Sequence, residues 1–180
     1  MGIEIQILDV LQKIHTPVLD KYMIAVTSLG NAGIIWIILA LALLIYPKTR
    51  KTGIIMAVTL IVDVILCNGI LKNLVARTRP FDVNTLANVI VPKPQDYSFP
   101  SGHTAASFAA VTALYLAGEK RGWRIAGILA VLIAFSRLYL YVHYPTDVLG
   151  GIAFGILSGV IGHYIVKKAS EWKLNKGKIE

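Results

Sequence analysis

Charge is scarce in this chain, and negative charge scarcer still. Of the 180 residues, 16% are Asp, Glu, Lys or Arg, where an ordinary soluble domain carries about a quarter. Only 10 residues are acidic, against 18 basic ones. A single cysteine, Cys67, lies inside an apolar run. It excludes an intramolecular disulfide and any multi-cysteine metal site. The first twenty residues carry Glu4, Asp9 and Asp20 and lack an apolar core, so no cleavable signal peptide is expected. The sequence has no internal repeat and no low-complexity segment.

Apolar residues are abundant. They make up 56% of the chain, with a mean hydropathy of +0.65, and they fall in a few long runs. Lipid is the expected solvent, and one domain over 1–180 is the expected organisation. The net charge of +8 sits in short clusters between apolar runs and in the C-terminal tail. That pattern suits topology signals and lipid headgroups better than a nucleic-acid groove.

The predicted fold is all-α, an integral-membrane helical bundle. Five segments are long and apolar enough to cross a bilayer, at about 31–47, 53–76, 102–119, 125–142 and 147–168. The first of them can begin earlier, near Met23. Before it, Ile3, Ile7, Leu8, Leu11 and Ile14 recur at a helical period and predict an amphipathic interfacial helix, broken at Pro17. Lys48, Arg50 and Lys51, then Lys120, Arg121 and Arg124, then Lys167, Lys168, Lys173, Lys176 and Lys178 fall on one side of such a bundle. The positive-inside rule makes that side the cytoplasm. The long loop at about 77–101 and the turn at about 143–146 then face the other side.

Polar residues gather at that second side in three clusters. In the first, Lys72 precedes Arg79-Pro80 by two helical turns, so the two cations share a face if the helix reaches the proline. In the second, Pro100-Ser101-Gly102-His103 opens a helix. Ser101 is a good N-cap, Gly102 admits close backbone approach, and the free amides of a helix start suit an anion. His103 then sits beside that anion, able to protonate a leaving oxygen. In the third, Ser136-Arg137 precedes His143 and Asp147. Pro145 suits a first helical turn, and a carboxylate four residues after a histidine can hold one ring nitrogen and leave the other free to attack.

Each cluster alone has a plain structural explanation: snorkelling cations, a capped helix, an acidic first turn. Their convergence on one membrane face is harder to attribute to chance. Together they predict a phosphoryl-transfer site. Lys72, Arg79 and Arg137, with amides near Ser101 and Gly102, neutralise phosphate oxygens; His143 attacks, Asp147 holds its tautomer and His103 serves the leaving group. Three cations would do what Mg²⁺ does elsewhere, so no metal or other cofactor is expected. The loops facing the site offer only Asp82, Asp96 and Asp147, with no two close in sequence.

Other polar residues receive structural expectations. Asp63, with Asn68 on the same helix, is read as a hydrogen-bonded or protonated group; His15 is placed at the interface, and His163 away from the site. Arg77, off the Lys72–Arg79 face, is expected to touch headgroups or substrate. Gly150-Gly151, Gly155 and Gly159 are read as a close-packing stripe, and Tyr139, Tyr141, Trp123 and Trp172 as membrane-interface residues.

The combined pattern, from Lys72 through Arg79-Pro80, Pro100-Ser101-Gly102-His103 and Ser136-Arg137 to His143 and Asp147, resembles the three-part signature of the type 2 phosphatidic acid phosphatase superfamily. That superfamily also contains the vanadium-dependent haloperoxidases. The resemblance covers about 72–151 and departs mildly at Ser136, where many relatives have another small residue. It implies metal-independent hydrolysis of a membrane lipid phosphate or diphosphate, with His143 as nucleophile and His103 as general acid. Phosphatidic acid, phosphatidylglycerophosphate, undecaprenyl diphosphate and lipid A phosphates are the substrate types it implies. A phosphotransferase shares the first half-reaction, and an anionic-lipid binding or transport protein needs only the cations.

Overall fold

The computed structural model describes residues 2–176. Helix α1 (Ile3–Gln12) buries Ile5 and Leu8 and leaves Ile3, Ile7 and Val10 exposed, the two-faced helix that the spacing predicts. Helix α2 (Pro17–Leu29) starts at Pro17, with the Thr16 side chain accepting from the Leu19 amide. A 3₁₀ turn at Asn31–Gly33 then leads into α3 (Ile34–Ile45). The pair α2–α3 bends by 45° and together is long and apolar enough to be one span.

Helix α4 (Arg50–Asp63) continues through a π-helical stretch, Val64–Leu71, into α5 (Lys72–Val75). There it stops. Ala76 adopts a left-handed φ of 46°, four residues short of the proline. Arg79 therefore does not continue the helix that carries Lys72; it has extended backbone and precedes the short α6 (Pro80–Val83). The shared helical face expected for the two cations is replaced by a loop that folds back.

Helices α7 (Gly102–Leu116), α8 (Gly122–Tyr139) and α9 (Pro145–Lys176) complete the bundle. Among the described residues, three stretches have the length and composition to cross a membrane by themselves: Arg50–Val83, Gly122–Tyr139 and Pro145–Trp172. With 15 residues, α7 is shorter than these. It lies in the middle, its Ala105, Ala109, Ala110 and Ala113 fully buried. These small residues let α9 approach closely; a Cβ on Gly155 would stand 2.4 Å from the Ala105 carbonyl oxygen. Glycine is required there, as the small-residue stripe predicts. The outward faces remain apolar, with Ile38, Ile61, Ile125, Ile128, Val131 and Val160 exposed, which suits lipid rather than water.

Two of the expected interface aromatics are in fact interior. Tyr139 and Tyr141 are fully buried, and their hydroxyls donate to Asp20 (2.6 Å) and Asp9 (2.7 Å) on the two N-terminal helices. His15 stacks on Tyr139 with ring centroids 4.1 Å apart and pairs with Asp20 at 3.1 Å. A buried phenol needs such a partner, so α1 and α2 are pinned over the end of α8. At the other end of the bundle, Thr52 donates to Glu119 (2.9 Å), joining the two basic linkers. Lys178 lies outside the described residues, as do the side chains of Lys173 and Lys176.

Candidate active site

The start of α5, the α2–α3 junction, the N-terminus of α7, the C-terminal end of α8 and the turn before α9 meet at one end of the bundle. They enclose a cavity of about 460 Å³. Lys72, Arg79, Gly102, His103, Arg137 and His143 all line it, six of the eight residues singled out from sequence. Lys72, Arg79 and Arg137 are buried, and burying three cations around one space is costly unless anions answer them. Asp96, from the α6–α7 loop, answers two. Its carboxylate bonds Lys72 and the Arg79 guanidinium, while Arg79 Nε donates to the Asp96 carbonyl at 2.7 Å. Partial burial pushes the Asp96 carboxyl up, but Lys72 and Arg79 more than offset this and hold it at about 2. Asp96, more than the helical spacing, brings Lys72 and Arg79 together.

Arg137 is positioned differently. Its Nη1 donates to Thr27 of α2 at 2.5 Å, and its Nε is buried without a partner. A guanidinium with a donor left over beside a cavity is suited to an incoming oxyanion.

His143 stands in the turn between α8 and α9, 2% exposed, with Nδ1 3.5 Å from Asp147 Oδ2. That separation is too long for a well-formed hydrogen bond, and it is an electrostatic contact between neighbouring groups. Nε2 lies on the cavity side, 3.4 Å from Arg79 Nη1. Burial first, and then the Arg137 and Arg79 charges, hold the imidazole below the ordinary histidine range despite the opposing pull of Asp147. Burial thus favours the neutral ring, the form that carries a lone pair.

Asp147 lies behind the cavity, fully buried. Its Oδ2 accepts from the Ser98 hydroxyl and from the Tyr144 amide (2.9 Å), and its Oδ1 accepts from Arg77 Nη1 (2.6 Å). Ser101 is also behind the wall. It precedes α7, but its side chain makes no capping bond; its hydroxyl accepts from Thr104 (2.9 Å) and its amide donates to the Asp147 carbonyl (3.0 Å). The Ser101 amide is therefore committed to the protein, and the amides of Gly102 and His103, without partners in the first helical turn, are the ones left for a ligand. His103 Nε2 is 3.0 Å from Asn31 Oδ1, and Gly30 makes room for the ring: a Cβ there would lie 2.8 Å from His103 Cδ2.

The model of one family, the PAP2 superfamily, matches residues 51–171. The chain belongs to that superfamily. An undecaprenyl-diphosphatase of Sulfolobus acidocaldarius is 31% identical over 86% of this chain and 74% of its own length. Phosphatidylglycerophosphatase B of Bacillus subtilis is 35% identical over 80% of this chain and 73% of its own length. Among solved structures, Aquifex aeolicus LpxE superposes with a TM-score of 0.78 at 26% identity, covering 90% of this chain and 95% of that one. A transmembrane PAP2-type phosphatidylglycerolphosphate phosphatase from Bacillus subtilis superposes with a TM-score of 0.71 at 30% identity, covering 93% of this chain and 84% of that one.

Several contributors to this PAP2 site escape sequence reasoning. Thr27, Asn31, Ser98 and Glu4 are polar residues of ordinary type, and only tertiary contacts bring them in. Arg77 is paired with Asp147 and Glu4, contacts that its place in the sequence does not announce. Asp63 is 1% exposed and accepts weakly from the Cys67 thiol (3.4 Å) and Ser158 (3.5 Å). It is hydrogen-bonded as expected, yet it also borders the cavity, as does Asn68.

Proposed function

We propose that this PAP2 protein hydrolyses a lipid-linked phosphate monoester or diphosphate without a metal, through a phosphohistidine. One observation carries the reading: two histidines and three buried cations face a single cavity, with a carboxylate behind one of the histidines. Binding alone would need the cations and not the histidines.

The substrate phosphate takes over Lys72 and Arg79 from Asp96 and adds Arg137 Nε and the Gly102 and His103 amides. Donors placed in advance stabilise the charge that spreads over the equatorial oxygens. His143 Nε2 forms a bond to phosphorus as the bond to the leaving oxygen breaks, and His103 gives that oxygen its proton. The positive charge that develops on the His143 ring is balanced by Asp147. Water then attacks phosphorus, His103 takes a proton from it, and the P–N bond breaks to release phosphate and neutral His143. The lipid tail remains among the apolar outer faces. The basic linkers at the far end of the bundle support placing the site on the extracytoplasmic side.

The names of the relatives support a lipid substrate and differ on which one. The deciding measurement is phosphate release by purified protein from a panel containing undecaprenyl diphosphate, phosphatidylglycerophosphate, phosphatidic acid and a lipid A phosphate, with excess EDTA throughout. Turnover of at least one is expected, with inhibition by vanadate. His143→Ala should release no phosphate above background, and His103→Ala should be slower by about 10²–10⁴-fold. Strict dependence on added Mg²⁺, or wild-type turnover by His143→Ala, would refute the mechanism.

A further inference from the structure

The geometry points to Arg77 as a positioning residue for the nucleophile, and through it to Glu4 of the N-terminal helix as an outlying part of the same machinery. This rests on the histidine mechanism proposed above and extends it to residues that touch neither phosphate nor His143.

Arg77 follows the left-handed Ala76, which ends the helix and turns the chain toward α9. Its side chain makes four contacts there. Nη1 donates to Asp147 Oδ1 (2.6 Å) and to the Thr146 hydroxyl (2.6 Å), Nη2 donates to Glu4 (2.6 Å), and the guanidinium lies 3.8 Å over the Tyr144 ring. Its carbonyl accepts from the Ser98 amide (2.8 Å), and Ser98 in turn donates to Asp147 Oδ2. Arg77 therefore holds one carboxylate oxygen directly and, through Ser98, orients the donor to the other. Glu4 closes the ring, since its second oxygen accepts from the Thr146 amide (3.0 Å) and hydroxyl (2.7 Å).

The consequence follows from the Asp147 inventory. A carboxylate beside His143 is useful only if it points at Nδ1 and stays ionised. Asp147 has no solvent to orient it, being fully buried. Arg77 holds it from behind through Nη1 while Nη2 is anchored on Glu4, a two-armed geometry for which guanidinium is suited and ammonium is not. Holding a reacting group in place in this manner contributes to the rate of the chemical step and not to phosphate affinity.

The test uses the full-length protein in detergent micelles, with undecaprenyl diphosphate and phosphatidic acid as substrates and vanadate as the probe of the phosphate cradle. Arg77→Met should lower kcat by about 10–100-fold while KM and the vanadate inhibition constant stay within about twofold. Arg77→Lys should fall between, because one ammonium cannot span Asp147 and Glu4. Glu4→Gln should lose about threefold to fivefold in kcat, and little more when combined with Arg77→Met, because the two act through one contact. Wild-type kcat in Arg77→Met overturns the inference. So does a matching loss of vanadate affinity, which would put Arg77 in the phosphate cradle, and so does a deficit that vanishes once rates are scaled to the folded fraction. His143→Ala is measured alongside; if it turns over, the parent mechanism fails, whatever Arg77 does.

Discussion

The two ends of the bundle handle charge in opposite ways. At the cavity end, three basic side chains are answered by carboxylates inside the protein, Lys72 and Arg79 by Asp96 and Arg77 by Glu4 and Asp147, and a fourth, Arg137, is buried with a donor facing the cavity. At the far end Lys48, Lys51, Lys120 and Arg121 are exposed, and Arg124 lies 5.6 Å from the Trp123 ring. Among the described residues, every Lys or Arg ion pair belongs to the cavity end. The difference teaches that a basic residue in this chain has one of two jobs. Where it is buried it builds geometry, because a desolvated charge tolerates only a narrow set of partners. Where it is exposed it serves the membrane surface, where its exact position matters little.

The sharpest way to break that contrast is to remove one arginine from each end. Arg137→Met takes away a buried guanidinium aimed at the cavity, and kcat/KM should fall by about 10²–10³-fold, the usual cost of one preorganised oxyanion donor. Arg124→Met, at the far end, should stay within about twofold. Initial-rate measurements on the two purified variants decide it. Comparable losses would mean that the far end also shapes the site, and the division proposed here would fail.

Legibility from sequence divides along the same line. Long apolar runs, the amphipathic α1 and the break at Pro17 could be read because each depends on local periodicity. The glycine stripe on α9 could be read because spacing alone sets a helix face. The residues lining the cavity were legible because their chemistry is unusual for a membrane segment: buried cations and histidines have few uses there. What periodicity could not supply is how the chain returns after a helix ends. The stop at Ala76 has no proline or glycine to announce it, so Lys72 and Arg79 looked like helix neighbours when a loop carboxylate joins them. Tyr139 and Tyr141 looked like interface residues because aromatic type is informative and burial is not visible in one sequence. Asp96, Arg77 and Glu4 are separated by long stretches of chain from the residues they organise, and no local pattern marks them.

Asp96 offers a smaller and opposite effect. Its carboxylate rests on the two cations proposed to receive phosphate, and with its titration at about 2 it stays anionic at any working pH. It therefore competes with substrate throughout. Its side chain is 54% exposed, so solvent screens much of the pairing, and pairs of this kind contribute about 1 kcal/mol at most. Asp96→Asn should then lower KM by no more than about fivefold and tighten vanadate inhibition to match, with kcat little changed. A raised KM would mean that Asp96 aligns the cations for substrate more than it competes for them.

The far-end cations should matter least to chemistry and most to orientation. Replacing Lys48, Lys51 and Lys120 with Gln removes three exposed charges that make no ion pair among the described residues, and turnover in detergent should change by less than about twofold. Their contribution lies in how the chain enters the membrane, which detergent assays do not sense. Leu86, 91% exposed in the α6–α7 loop, reports on it. In Leu86→Cys the new thiol should react with a membrane-impermeant maleimide added outside intact cells, while the native Cys67, fully buried, stays silent. In the charge-depleted background a fraction of chains should become protected. Protection of Leu86→Cys with all the lysines in place would reverse the proposed orientation and leave the two-ended division of charge standing, because that division rests on burial and pairing and not on which side faces out.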